Sequence, residues 1–343
     1  MEDPGLVLRQ MALAMRLSRA LYVAAELGIA DHLANGPMSS VALAAVTSTH
    51  AGALRRLMRA LSAAGVFAET SPDSFSLTEL GDRLRVGHPQ SMRAGTMFLA
   101  GPMRWEMWSN LLRCIRTGAP AIERLPGQTI FNTYADDQPA EFAIANEAMR
   151  AFTVLHSGAI LDAFDFSRFQ TLMDVGGGTG EMLGGILAAT PSLRGTLVDL
   201  PDVIAGAPAV LDRHGVADRC TLAPADFFVG IPAGADAILL KQVVHDWDDG
   251  DAVMLLTRCQ QAMPADGVLL IVERVMPEKA EPGAAMYSFL LDLEMLVGPG
   301  GRERTEAEFR ALLAASGLTL TGVTPTASAV SVIEACRNGS TSR

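Results

Sequence analysis

Three residues of this chain have the types and settings for proton chemistry. His245-Asp246-Trp247 follows the apolar run Ala237–Lys241, Glu273 closes a second apolar run, and Glu303 sits within Gly300-Gly-Arg-Glu-Arg-Thr305. Imidazole is the side chain that exchanges a proton near neutral pH. A polar His-Asp pair just beyond a strand end lies over the crevice of an open sheet, within reach of bound ligand. Read singly, these residues have plainer roles. A lone histidine is usually a satisfied structural group, and either glutamate can be a surface ion-pair member, Glu303 above all because Arg302 and Arg304 flank it.

Upstream lies a glycine turn, Asp174-Val-Gly-Gly-Gly-Thr-Gly180. Thr171-Leu-Met before it fits a buried parallel strand, and Glu181-Met-Leu-Gly-Gly-Ile-Leu-Ala-Ala after it reads as a helix. Strand, turn and helix in that order form a ligand crevice at the C-terminal edge of a parallel sheet, and glycines let backbone approach the ligand. Gly176, Gly178 and Gly180 make a GxGxG spacing, whereas the dinucleotide fingerprint GxGxxG needs its third glycine where Glu181 stands. A carboxylate at that helix N-terminus would repel a docked pyrophosphate, which disfavours NAD and FAD. A ligand with no phosphate and a positive group suits the turn better, and S-adenosylmethionine has both properties. The next strand ends Val198-Asp199-Leu200-Pro, where an acid can accept from both ribose hydroxyls, although Asp199 alone can be a helix N-cap. The third is followed by Asp226-Phe227, an acceptor for an adenine amino group and a ring to stack on it, although Phe227 and Phe228 are as easily core residues.

These positions need a sheet to hold them. Strands are expected at Thr171–Val175, Gly195–Asp199, Cys220–Pro224, Ala237–Lys241 and Val268–Glu273, alternating with helices, which implies a parallel doubly wound sheet. Leu318–Thr324 and Ser331–Ala335 complete it as an antiparallel edge. Residues up to about Leu112 read as helices with one hairpin: Leu6–Leu27 ending at Gly28, Ser39–Ala45, Ala51–Ala64, then strands in Gly65–Glu69 and Ser74–Thr78. That order is a winged helix-turn-helix. It raises a DNA-binding reading with Arg55, Arg56 and Arg59 on the recognition helix, against a solvated face in a dimerisation module. Helices Trp105–Thr117 and Pro139–Phe164 follow, with Pro120, Pro126 and Gly127 in the loop between; the second enters the sheet domain and is placed to lie over the crevice. The polar tail Asn338–Arg343 reads as frayed.

With 343 residues, 49% apolar and 19% charged, the chain has the composition of a large-cored globular protein of two domains. A net charge of -11 disfavours nucleic acid as the main partner. No signal peptide or membrane span is legible. The scattered Cys114, Cys220, Cys259 and Cys336 fit reduced thiols of a cytoplasmic protein better than a disulfide or zinc framework, and no metal cluster is evident.

Together the DVGGGTG turn at 174–180, VDLP at 198–201, Asp226-Phe227, Lys241, His245-Asp246-Trp247, Glu273 and GGRERT at 300–305 resemble the S-adenosylmethionine-dependent O-methyltransferases of the caffeic acid and hydroxyindole type, with bacterial natural-product relatives. The resemblance covers nearly the whole chain. It implies a Rossmann-like, mostly parallel seven-stranded methyltransferase sheet over 101–343, with a winged-helix dimerisation domain over 1–100 and the helical segment 102–165 contributing to the acceptor pocket. It implies that Asp174, Gly176, Gly178, Asp199, Leu200, Asp226, Phe227 and Lys241 hold the cofactor. His245 would be the general base, bracketed by Glu273 and Glu303. The chemistry agrees: imidazole of ordinary pKa, about 6.5, can accept the proton of a phenol of about 10 as its oxygen attacks. Acceptor-pocket candidates are Met149, Phe152 and Thr153, Asp246, and Met286, Phe289, Leu290 and Met295, although methionines at helical spacing are usually core. Gly298-Pro-Gly-Gly replaces the Asn-Pro-Gly-Gly of plant relatives, which removes a polar side chain there. The expected activity is methyl transfer to an aromatic hydroxyl by a homodimer. The alternatives are C- or N-methylation or a cofactor-assisted hydroxylation, a ligand-sensing transcriptional regulator, and an NAD-dependent oxidoreductase.

Overall fold

The computed structural model describes residues 3–122, 138–283 and 285–339. Pro126, Gly127 and residues 340–343 of the polar tail lie outside them. The chain forms two compact units, Met1–Glu106 with Asp137–Ala151, and Met107–Asp136 with Phe152–Arg343.

The first unit begins with α1 (Pro4–Leu13) and α2 (Met15–Glu26). The sequence predicts one helix here; Ala14 caps both, so the apolar periodicity runs through a single interrupted turn. Gly28, at φ +62°, stops the second. The short β1 (Met38–Ser39) leads into α3 (Ser40–Thr47), whose first turn is capped by the Ser39 hydroxyl accepting from Ala42 N. Next come α4 (Ala51–Ala63), β2 (Phe67–Ser71) and β3 (Ser74–Leu77), the strands pairing antiparallel in the order β1-β3-β2. Leu54, Met58 and Leu61, spaced at helical intervals on α4, are buried with Phe67 and Phe75. The opposite face of α4 meets the wing: Arg55 pairs with Asp73 and Arg59 with Glu69, each at 3.4 Å. Further on, α5 (Arg93–Ala100) packs against α2. None of α1 is buried, and Leu6, Leu8 and Met11 stand more than half exposed.

The predicted helix Trp105–Thr117 is two helices, α6 (Pro102–Ser109) and α7 (Leu111–Thr117), separated at Asn110. The long α8 (Pro139–Ala163) contributes its residues up to Ala151 to the first unit and the remainder to the second.

The second unit is the expected α/β sheet. It contains β4 (Thr171–Val175), α9 (Glu181–Ala189), β5 (Arg194–Asp199), α10 (Ala207–His214), β6 (Cys220–Pro224), β7 (Ala237–Lys241), α11 (Asp249–Ala262) and β8 (Val268–Glu273). After these come β9 (Val275–Met276), α12 (Met286–Val297), β10 (Arg304–Thr305), α13 (Glu306–Ala315), β11 (Leu318–Pro325) and β12 (Ser331–Arg337). The seven-stranded sheet runs β11-β12-β8-β7-β4-β5-β6. Strands β4 to β8 pair parallel, and β12 joins β8 antiparallel. Strands β7 and β8 are apolar almost throughout and wholly buried but for Lys241, as both-faces-covered parallel strands require. Two apolar clusters, one including Ile238, Leu255 and Phe309 and the other Leu183, Leu239 and Leu270, cover the sheet.

The strand order reverses at β4. The chain steps outward to β5 and β6, then returns to β7 on the other side of β4. At that switch point the connections leave in opposite directions and open a crevice beyond the strand C-termini. The glycine turn follows β4, and Lys241 and His245 follow β7.

Candidate active site

The turn after β4 is built on backbone that L side chains rarely adopt. Gly176, Gly178 and Gly180 have φ of +69°, +63° and +82°. A Cβ on Gly176 would lie 2.9 Å from Val243 Cγ2, whereas one on Gly178 would meet nothing within 4 Å. The backbone at Gly178 therefore faces open space where a ligand can approach it directly. Gly176 N donates to Val198 O at 2.8 Å and docks the turn on β5. At the end of β5 the Asp199 carboxylate accepts from Gly178 N and Leu200 N, both at 2.7 Å. Burial raises its pKa, and these two N–H groups work against that rise. A carboxylate has about four acceptor positions, so capacity for further donors remains.

Asp174, at the end of β4, is 1% exposed, and neither of its oxygens has a hydrogen-bond partner. Burial pushes its pKa up to about 7, with Lys241 opposing the rise and Asp199 adding to it. Lys241 Nζ donates to Thr153 Oγ1 at 2.9 Å and Gln242 Oε1 at 2.7 Å, and burial lowers it to about 8. Thr153, an acceptor-pocket candidate in the sequence, thereby joins the second unit's share of α8 to Lys241 at the end of β7. Asp226 Oδ1 accepts from Phe228 N at 2.8 Å and shapes the loop after β6. Phe227 packs edge-on against Phe228 and Trp247, with centroids 4.9 and 5.9 Å away. It also stands beside Gly176, 3.6 Å from where a Cβ would be.

Glu181 does not act as the sequence argument supposes. Its carboxylate accepts from Arg213 Nη2 at 2.6 Å and lies 3.0 Å from His214 Nε2, both on α10. The Arg213 guanidinium offsets part of its charge, which weakens the argument from repulsion of a pyrophosphate.

His245, Glu273 and Glu303 come together from three chain segments. His245 Nδ1 lies 2.8 Å from Glu303 Oε1 and 3.4 Å from Glu273 Oε2. His245 N donates to Glu273 Oε1 at 3.2 Å, and Nε2 lies 3.7 Å from Asp246 Oδ1. All three residues are buried, at 8%, 0% and 4% exposure, so Glu303 is not the surface ion-pair member its arginine neighbours suggest. Burial by itself would lower the His245 pKa; Glu273, Asp246 and Glu303 overcome it and raise it to about 10. The ordinary imidazole value assumed from sequence is thus replaced by that of a histidine facing three carboxylates. Burial lifts Glu273 to about 7 against the pull of His245. The donor atoms of the trio lie within 4.8 Å of one another, a set that also has the composition of a cation site and that no spacing in the sequence signals.

Of the acceptor candidates, Thr153 is buried beside Lys241, and Phe152 and Phe289 are partly buried. Met286 and Leu290 are exposed on α12, and Met295 is buried at 7%. Met149 is exposed in the first unit's share of α8. Sequence reading missed the residues that support the trio. Asp292 on α12 accepts from Glu303 N at 2.8 Å. Arg304, 1% exposed, donates to Val244 O at 3.0 Å and Trp247 O at 2.9 Å. A buried arginine beside a candidate acid is the signal that was available, and it reads equally as a surface charge. All four cysteines are free. Among the described residues no helix is long and apolar enough to cross a membrane.

Comparison with known proteins gives a consistent result. Residues 108–319 match the family model of the O-methyltransferase domain, and residues 10–87 that of the O-methyltransferase dimerisation domain. The chain is 42% identical to phenazine O-methyltransferase PhzM of Lysobacter antibioticus, over 96% of this chain and 95% of that protein. It is 39% identical to 8-amino-8-demethylriboflavin N,N-dimethyltransferase of Streptomyces davaonensis, over 96% and 94%. It is also 37% identical to aclacinomycin 10-hydroxylase RdmB of Streptomyces purpurascens, over 88% and 81%. The solved structure of LaPhzM superposes with a TM-score of 0.92 at 41% identity, covering 98% of this chain and all of that one. NcsB1, an O-methyltransferase from neocarzinostatin biosynthesis solved with S-adenosylmethionine and 2-hydroxy-5-methyl naphthoic acid, superposes at 0.78 with 33% identity, covering 94% and 96%.

Proposed function

The chain belongs to the S-adenosylmethionine-dependent O-methyltransferases, and from that premise we propose that it methylates an aromatic hydroxyl of a small natural-product intermediate with His245 as general base. The observation that carries the assignment is the hold on Nδ1. Glu303 at 2.8 Å and Glu273 at 3.4 Å fix the proton on that nitrogen and leave Nε2 as the basic one.

Bound S-adenosylmethionine supplies a methyl group already activated on a sulfonium. Gly178, Asp199, Leu200, Asp226, Phe227 and Lys241 hold the cofactor in this reading, and the orphaned Asp174 carboxylate offers its charge to a cationic group of the ligand. The open backbone at Gly178 and the unpaired buried Asp174 oxygens support that fit. Nε2 would take the proton of an acceptor hydroxyl held beside it, while the methyl group passes from the sulfonium sulfur to that oxygen and leaves the neutral thioether behind. The neighbouring carboxylates raise the imidazole above its ordinary value toward that of a phenol, which strengthens Nε2 as a base for the hydroxyl proton. Glu273 and Glu303 then stabilise the imidazolium. Most of the remaining work is alignment of oxygen and carbon by the pocket.

The dimerisation-domain match and the exposed apolar residues of α1 support a homodimer. The pairing of Arg55 and Arg59 with wing carboxylates supports a module that does not bind DNA. Metal is not required in this reading, and turnover in EDTA is expected to equal that without it. The relatives include an N,N-dimethyltransferase and a hydroxylase, so the assay separates amine methylation and oxygen insertion from O-methylation. Calorimetric titration with S-adenosylmethionine, S-adenosylhomocysteine and NADH comes first, followed by mass spectrometry of phenolic and aniline acceptors. Micromolar binding of both adenosyl ligands, none of NADH, and gain of one methyl on a phenol are expected. Gain of oxygen instead, or methylation confined to anilines, overturns the reading.

A further inference from the structure

We propose that Arg304 is a positioning residue for the proton relay, fixing the His245 turn and the Glu303 carboxylate in one register. The inference rests on the general-base assignment to His245 and extends it to a residue that touches neither acceptor nor cofactor.

A guanidinium buried to 1% exposure is costly unless its donors are met. Those of Arg304 are met by the turn that carries His245. Nη1 donates to Val244 O at 3.0 Å and Nη2 to Trp247 O at 2.9 Å, so the fork spans the chain from one residue before His245 to two residues after it. Nε and Nη2 also reach Asp249 Oδ1, at 3.0 and 2.8 Å, in the first turn of α11. The carbonyl of His245 itself accepts from Arg302 N at 2.9 Å. Gly301 is pressed so closely onto the same carbonyl that a Cβ there would overlap it. Residues 301–304 therefore grip the His245 turn by a glycine contact, a backbone amide and a side-chain guanidinium.

The same backbone carries Glu303. On its far side β10 pairs in parallel with β9, Arg304 opposite Val275, just past Glu273 at the end of β8. Asp292 holds the Glu303 amide at 2.8 Å. Fixing residues 302 and 304 to the His245 turn leaves the intervening Glu303 side chain little choice but Nδ1. A planar fork with five donors suits this task; the ammonium of lysine cannot span two carbonyls and a carboxylate at once.

Arg304→Lys and, as a probe that leaves the charge alone, Gly301→Ala test the inference. For each, kcat, acceptor KM, the S-adenosylhomocysteine Kd, the pH profile of kcat/KM and the melting temperature are measured beside Glu303→Gln. Displacement on the order of 1 Å costs about 10²-fold in rate. A loss of that order in kcat is expected in both variants, with Kd and KM within about twofold. The acidic limb of the pH profile should shift to lower pH, as in Glu303→Gln, because Nδ1 loses its carboxylate. Adding Arg304→Lys to Glu303→Gln should cost little more, since both act on one contact. Unchanged kcat in both variants overturns the inference. So does a rate loss with an unmoved pH limb, or a double variant whose losses multiply. Undiminished turnover in His245→Ala would instead remove the general-base reading, which separates the two failures.

Discussion

His245 Nδ1 and Glu303 Oε1 meet at 2.8 Å across 58 residues of chain. Glu273, Asp246 and Glu303 together outweigh burial and raise the imidazole to about 10, which favours the protonated form of His245 at neutral pH. The basic form becomes more populated as pH rises toward that value. The His245-dependent part of kcat/KM, obtained by subtracting the rate of His245→Ala at each pH, should therefore climb from pH 7 toward pH 10. A plateau reached near pH 6.5 would mean an ordinary imidazole. His245→Ala itself should lower turnover by about 10²–10⁴-fold at unchanged cofactor affinity.

Asp199 spends two acceptor positions on Gly178 and Leu200, and Asp174 spends none. On the proposed ribose role, Asp199→Ala should weaken S-adenosylhomocysteine binding by an order of magnitude or more, since it would remove a ligand acceptor and loosen the glycine turn together. Calorimetry reads both effects, and an unchanged Kd contradicts the ribose role.

The Asp174 carboxyl, raised to about 7, ionises within the working range. A cationic amino group on the ligand favours the ionised form, so binding should tighten as pH rises through about 7. In Asp174→Asn that dependence should vanish and affinity should fall. A wild-type Kd independent of pH between 6 and 8 would remove Asp174 from the cofactor site.

The sheet was legible because its signals are local. Each predicted parallel strand lies within one residue of the observed one, since buried apolar runs bounded by glycine, proline or acid leave few alternatives. His245, Glu273 and Asp199 were legible as candidates because strand ends mark the crevice. Arg304 and Asp292 were not, because their partners, Val244, Trp247 and the Glu303 amide, lie far along the chain or on backbone, where residue type carries no signal. The rise in the His245 pKa was not read because its size depends on burial and on how closely Glu273 and Glu303 approach the ring beside Asp246, which residue type and spacing do not give. The breaks at Ala14 and Asn110 fall where neither glycine nor proline marks them.

α1 buries no residue, and Leu8 and Met11 are 68% and 65% exposed. Apolar patches of this kind on a dimerisation module call for a partner chain. On the proposed homodimer, Leu8→Glu with Met11→Glu should leave only monomer in light-scattering mass measurements while leaving the melting of the sheet unit intact. A dimer that survives both charges would move the interface elsewhere. The same protein should show no gel shift of DNA even at low salt, where a basic reading helix would bind most tightly.

His156, on α8 one turn beyond Thr153, gives the last prediction. Its Nδ1 is buried without a partner, and burial, then Lys241 and Arg274, lower its pKa from 6.5 to about 4. In the folded chain it stays neutral where the unfolded chain would protonate it. Its contribution to stability is therefore full above pH 6.5 and is lost as pH falls from there toward about 4. Replacement by leucine removes the titrating group but keeps an apolar side chain in place. The wild type should lose melting temperature between pH 6.5 and pH 4 more steeply than His156→Leu, with the two curves parallel above pH 7. Equal slopes across the acid range would show that His156 titrates alike in the folded and unfolded chain, and that the cations of Lys241 and Arg274 do not bear on it.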